Sequence, residues 1–570
     1  MEYGLVMTPF LPFPGPALRA AVVCVALSAG AVSSVAETWR SSLYPEEWRP
    51  GYADTEGRFL HDFSYAGYHR GERALPDVVG PVTDVTQAPW LADATGVADA
   101  TAAIQGALDA AAQAGGGVVF LPAGTYRVAP PEGEKAALRI DGDHVVLRGA
   151  GRGKTFVFND AVSMREKRVI QVRAKNSAWW FSEPGPGGVS LLTRDAVVPT
   201  LRLVVENAAI FSVGELVLVR INPTQAFIDE YGMTGKWVVE ASTSKTYRNK
   251  LTPVYARRIV AIEGNELVID VPTRLALRVA DGARVQKVVG ATLREAGVED
   301  LSIGMRQHPG EGWSEEEIYS RAGTGPHDVH QSYAITFEST ENCWLRRVGS
   351  YAPPGNDPRV HLLSNGVLMG RGRLLTVDGC DFRFPQYRGG GGNGYMYVLH
   401  GNDGLLRNSY AEGGRHNYDF GQTTSTGNVI LDCTAKDGLL FSDFHMFLSA
   451  ANLVDSVSCD GDSFEAVFRP WGGTPMHGPS TTQSVFWNLK GLRYSAESVS
   501  LGGPSWTRKQ TLVLTKGLKD IYVIGTRGPA VMVSADGGAF VEGAWRGDSL
   551  LPRSLYLDQL ERRLRGKARR

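Results

Sequence analysis

The chain has 570 residues, 43% of them hydrophobic and 67 of them glycine, enough to bury a large core in one long domain or several ordinary ones. Its formal charge is −1, so no global basic field recruits nucleic acid or an anionic membrane, and neither is expected as a partner. The glycines and the frequent Val/Ile/Leu doublets favour many short strands joined by tight turns.

Residues 1–36 read as an export signal. Arg19 precedes the apolar run Ala20 to Val32, and Ser34-Val35-Ala36 offers small residues at a cleavage position. The run is too short for a comfortable bilayer span, so the mature chain is expected to be secreted or periplasmic and without a membrane span. Cys343, Cys380, Cys433 and Cys459 remain after export, at spacings that match no metal pattern.

Residues 37–164 begin with an aromatic lead-in around Tyr44, Trp48, Phe63 and Tyr68. A helix is predicted next, with Thr101 as N-cap and Ile104, Leu108 and Ala111 as its apolar stripe. Gly115-Gly116-Gly117 ends it, and Val118 to Leu121 read as a strand before Pro122-Ala-Gly124-Thr-Tyr126. The ordered series Asp93-x-x-Gly96, Thr101-x-Ala-Ile104-Gln105, the three glycines and Leu121-Pro-x-Gly124-x-Tyr126 resembles the opening coil of the pectate-lyase-like right-handed parallel β-helix superfamily. That resemblance implies an all-β solenoid of three-stranded coils whose N-terminal end is capped by the helix. It leaves function open, since the superfamily includes lyases, hydrolases, epimerases and phage tailspikes. Gly153-Lys154-Thr155 imitates a phosphate loop, but the first glycine that motif requires falls on Arg148, so the stretch reads as a turn between coils.

Residues 165–290 differ in style. Val213 to Arg220 alternate, and Arg257 to Asp270 read as two strands joined by Gly264-Asn265, so a small β-rich insertion is predicted. The main β-helix is expected over 291–545. There Cys343, Cys380, Ser409, Cys433 and Cys459 follow one another at steps of 37, 29, 24 and 26, as one residue per coil would. These cysteines are expected as an unbonded buried ladder. Residues 546–570 carry Leu557, Leu560 and Leu564 on one helical face, followed by a basic tail.

Seven of the eleven histidines lie between His327 and His477, which points to the central coils as the site of chemistry. His416 and His445 are 29 residues apart and Arg469 lies 24 further on, so matching places on successive coils would set them side by side. His416, His445, Arg415, Arg469 and Tyr397 are the catalytic candidates. Arg388, Asn393, Tyr395, Tyr418, Trp471 and His477 are candidates for holding substrate. These residue types suit β-elimination on an anionic, uronic-acid polysaccharide: arginine neutralises the carboxylate, a neutral His or Tyr takes the adjacent proton, and an acid protonates the leaving oxygen.

Glycoside hydrolysis by two carboxylates is the alternative, with Asp419, Asp443, Asp437, Glu412 and Glu465 available. A non-catalytic glycan-binding surface protein is a third reading. No metal ligand set is assigned. Calcium, which some related lyases use, would have to be held by turn carboxylates, because the chain has no ordered calcium loop.

Overall fold

The computed structural model describes residues 37–240, 242–495 and 510–568, so the export-signal segment lies outside the described residues. Short strands stack in register to form a parallel β-helix with three faces. One face contains Ala136–Ile140, Arg168–Val172, Tyr333–Phe337, Asn365–Met369, Tyr395–Leu399, His416–Phe420, Ser442–Phe444 and Phe464–Arg469, each paired in parallel with the next. A second runs through Trp344–Arg346, Thr376–Asp378, Leu405–Arg407, Val429–Leu431 and Leu453–Asp455. The third runs through Gly349–Ser350, Asp381–Arg383, Tyr410–Glu412, Thr434–Lys436 and Ser458–Asp460.

The interior is filled by like residues from successive coils. Tyr397 stacks on Tyr418 with ring centroids 5.5 Å apart, and Phe420 on Phe444 at 4.7 Å. Such stacking follows from parallel in-register pairing, which places equivalent side chains one strand spacing apart.

The coils turn at single residues in the left-handed region, and this explains the Asn/Asp/Gly residues that precede the cysteines. Between the second and third faces that residue is Arg347, Gly379, Asn408, Asp432 or Ser456. One corner earlier it is Asn342, Leu374, Asp403, Gly427 or Ala451. Asn, Asp and Gly tolerate this conformation best, so the two corners look alike in sequence. The predicted cysteine ladder is corrected accordingly. Cys380, Ser409 and Cys433 share one position, but Cys343 sits at the earlier corner, in line with Asn428 and Asn452. Cys459 pairs with Ala435, inside a strand. All four cysteines are free and buried.

The cap helix is Thr101–Gln113, with Ile104, Leu108 and Ala111 buried. Its N-terminus is held by Asp99, whose carboxylate accepts the Thr101 backbone N–H at 2.8 Å, and the Thr101 side chain does not cap it. Arg168–Val172 is a solenoid strand that pairs directly with Tyr333–Phe337. Between them a six-stranded antiparallel sheet runs from Val189–Leu191 to Arg284–Lys287. Its core includes Phe447, Leu448 and Ala450 from the solenoid. The aromatic lead-in (Leu43, Tyr44, Trp48, Phe63) packs with the C-terminal helix Leu555–Ala568 over the outside of the second face.

Candidate active site

Along the first face, inward residues fill the core and outward ones line a cavity of about 760 Å³. Asp419, Asp443 and Glu465 are register partners on three adjacent outward positions. His400, His416, His445, Arg415, Arg469, Tyr395, Trp471 and His477 share the lining with Asp419 and Glu465.

His416 and His445 do not occupy matching places. His416 begins its strand, opposite Tyr395, whereas His445 follows Ser442–Phe444. Their side chains nonetheless converge on Asp443, and the rings lie 5.4 Å apart. His445 Nδ1 is 2.9 Å from Asp443 Oδ2, and His416 Nδ1 is 3.3 Å from Asp443 Oδ1. Arg469 donates to Asp443 Oδ2 at 2.7 Å and to Glu465 Oε1 at 2.5 Å. Burial pulls the Arg469 guanidinium down, but Glu465 and Asp443 outweigh it and hold it above its ordinary value. Arg469 is thus paired with two carboxylates of the protein itself.

The hydrogen bonds of His416 define its tautomer. Nδ1 stands 2.5 Å from the Phe441 carbonyl, which can only accept, so Nδ1 carries the proton and Nε2 the lone pair. Nε2 is buried and has no hydrogen-bond partner. Burial first, then Arg415 and His445, push His416 down to about 3 against the opposing pull of Asp443, so the ring is neutral. Tyr395 packs its ring edge-on against His416 at 4.9 Å, and burial drives its phenol well above the ordinary value, keeping it protonated. Burial lowers His477 to about 4. A second pair, His400 Nε2 and Asp419 Oδ2, lies at 3.1 Å, with Asp419 Oδ1 buried and unbonded.

Four candidates fall outside the cavity lining. Tyr397 and Tyr418 are fully buried in the coil interior, where Tyr397 donates to the Tyr410 carbonyl at 3.2 Å and Tyr418 to the Thr434 carbonyl at 2.8 Å. Tyr395 and Tyr397 are two residues apart, where regular alternation would give them one face, yet Met396 and Tyr397 both pack in the core while Tyr395 lines the cavity. Asn393 is buried and braces the loop, accepting from Ser364 Oγ and donating to the Gly390 carbonyl. Arg388 is exposed and reaches the Gly413 carbonyl. In their place the cavity gains Arg168, Gln331, Tyr333 and Arg371. Arg168 comes from the coil before the insertion, so only the pairing across some 160 residues of chain brings it here, and no local spacing shows it.

His416, Asp443 and His445 offer one ligand atom each within 4.8 Å of one another. Two imidazoles and a carboxylate suit borderline ions such as zinc better than calcium, which takes oxygen ligands.

Residues 91–184 match the family described as Rhamnogalacturonase A/epimerase, pectate lyase-like. That stretch contains the cap helix and the first coils of the parallel β-helix. Mannuronan C5-epimerase AlgE5 of Azotobacter vinelandii is 50% identical over 62 residues, which are 11% of this chain and 6% of that protein. Alginate lyase 7 of the same organism is 45% identical over 62 residues, 11% of this chain and 7% of that one. The chain thus spans only a small part of these curated relatives. Among solved structures, the tailspike gp61 of Pseudomonas phage phi297 aligns over 82% of this chain and 76% of its own, at 12% identity and a TM-score of 0.39. No helix among the described residues is long and apolar enough to cross a membrane.

Proposed function

We propose that the protein is an exported enzyme that cleaves a uronic-acid polysaccharide by β-elimination, with His416 as the base. The observation that carries this reading is the His416 ring, a neutral imidazole of the cavity lining whose buried Nε2 has no protein partner. Beside it Arg415 supplies the charge that draws a sugar carboxylate, and neutralising that carboxylate acidifies the adjacent C–H.

The step balances within the site. His416 Nε2 takes the proton, the electron pair forms the ring double bond, and the glycosidic C–O bond breaks. The leaving oxygen takes its proton from the Tyr395 hydroxyl. A bound carboxylate on Arg415 also removes part of the field that depresses His416, so the base strengthens when substrate is present. Asp443, close to Nδ1, stabilises the imidazolium that forms.

The test is absorbance near 235 nm on a panel of uronic-acid polymers, because elimination creates an unsaturated uronide. Appearance of that absorbance with wild type and its loss with His416→Gln supports the reading. Carbon-bound deuterium gained in D2O without cleavage would instead mean that the abstracted position is reprotonated. Hydrolysis has one observation of its own: Asp419 and Asp443 are register partners, about 5 Å apart as neighbouring strands are, which approaches a retaining carboxylate pair. New reducing ends without the 235 nm signal would favour it. Neither product, with the polymer still bound, would leave a glycan-binding protein.

A further inference from the structure

The insertion is anchored against the loops that carry His445 and His477. The Trp237 indole N–H donates to the Met476 carbonyl at 2.8 Å, and Thr423 Oγ1 donates to the Thr252 carbonyl at 2.7 Å. Gly478 faces the Trp237 ring so closely that a Cβ there would lie 2.7 Å from it. Trp237 and Leu251 are both fully buried in the insertion core, together with Phe447 and Leu448 of the solenoid.

Each of these two anchors has an exposed lysine next to it. Lys236 precedes Trp237 and Lys250 precedes Leu251, so the two cations project from fixed backbone. Lys250 Nζ lies 5.7 Å from the Phe447 ring centroid, Phe447 is 5.8 Å from His477, and His477 is 5.5 Å from His445. Lys236 Nζ lies 4.9 Å over the ring of Phe468, the residue before Arg469. Each lysine is thus one aromatic ring away from a residue that is in the cavity lining or borders it. Among the described residues neither lysine forms an ion pair, in contrast to Arg371, Arg469 and His400, which have carboxylate partners.

The cavity lining extends from the strand of Arg168 to that of Val467, seven consecutive strands of the first face. At the usual strand spacing that is about 29 Å, long enough for several sugar rings in a row. A chain reacting at His416 therefore has further residues to place, and those on the insertion side pass the two unpaired ammonium groups.

We propose that Lys236 and Lys250 form a carboxylate-binding subsite for the neighbouring uronates of the same polymer, so that the insertion selects long anionic chains. This rests on the reading of the site as acting on a uronic-acid polymer. Exposed ammonium–carboxylate pairs are weak and screened by salt, so the effect is modest and strongest at low ionic strength.

The test compares wild type, Lys236→Gln/Lys250→Gln and Lys236→Arg/Lys250→Arg on a long polyuronate and on its trimer, with thermal unfolding as the check on folding. Wild type and the Gln variant are expected to unfold alike. In the Gln variant KM for the long chain should rise about fivefold at low salt with little change in kcat. That rise should shrink at high salt, be absent on the trimer, and be absent in the Arg variant. An unchanged KM for the long chain, with wild type active, overturns the subsite and leaves the proposed function standing. A wild type that neither turns over any uronate polymer nor is retained on an immobilised one overturns the proposed function, and the subsite with it.

Discussion

Two regions of this molecule bury charge, and they do it differently. At the junction between insertion and solenoid, Asp403 accepts from Arg274 at 2.8 Å and from Arg257 at 2.9 Å, and all three side chains are fully buried. Asp270 next to it accepts from Arg373 through one oxygen and from the Arg258 backbone N–H through the other. Every oxygen of these two carboxylates is bonded. In the cavity, Asp419 Oδ1, Asp443 Oδ1 and His416 Nε2 are equally buried and accept no hydrogen bond. Buried polar atoms left without partners cost stability, so a fold keeps them where something else completes them. At the junction the carboxylate oxygens are all satisfied and lock two parts of the chain together, the unpartnered atoms there being the buried Nε of Arg257, Arg274 and Arg373. At the cavity the unpartnered atoms are acceptors instead, on Asp419 and His416 of the lining and on Asp443 against the two histidines.

That contrast can be broken at either end. The largest effect on folding is expected from Asp403→Ala, which leaves Arg257 and Arg274 buried without a counter-ion and should cost about 3–5 kcal/mol in urea unfolding. A loss below 1 kcal/mol would mean that the junction relaxes and admits water. His416→Gln should do the reverse, lowering the elimination rate by about 10²- to 10⁴-fold while the unfolding midpoint changes little. Tyr418→Phe and Tyr395→Phe sharpen the same comparison on neighbouring strands. Tyr418→Phe removes an interior hydrogen bond and should cost about 1 kcal/mol of stability with activity retained. Tyr395→Phe should spare stability and slow turnover.

A further comparison is the pH profile of stability. His416 and His477 are held down to about 3 and about 4 by burial, below the ordinary value of 6.5. The unfolded chain therefore takes up these protons first, and the contribution of both groups is fully present above that ordinary value and lost as pH falls through the folded values. Asp455, beneath the C-terminal helix, has the opposite sign. Burial raises it to about 7, so its contribution is present below the ordinary carboxylate range and lost as pH rises through 7. Urea midpoints between pH 4 and 8 should show the acid limb flattened by His477→Gln and the neutral limb flattened by Asp455→Asn.

Much of the fold was legible because it is local and repeated. The opening motif carries the cap helix and the first coil, and both form where the pattern puts them. The Asn/Asp/Gly residues before the cysteines mark real corners, since a left-handed residue is needed at each. They do not say which corner, and so Cys343 belongs to the earlier corner and Cys459 lies inside a strand, both out of line with Cys380, Ser409 and Cys433. The site was legible as a stretch of chain more than as a set of side chains. His416, His445, Arg415, Arg469, Tyr395, Trp471 and His477 do meet in one cavity. Tyr397 and Tyr418, each two residues further along the same strands, do not, because regular alternation does not hold at the start of these strands.

The amino-acid pattern by itself determined that this chain coils into a parallel β-helix and that its histidines gather in the central coils. Both follow from short-range periodicity and composition. Only the tertiary structure decided which face each tyrosine takes, how Arg168 reaches the cavity across the insertion, and that His416 and His445 share Asp443 from opposite ends of their strands. Those outcomes depend on strand register and on pairing between distant segments, and no spacing within one coil encodes them.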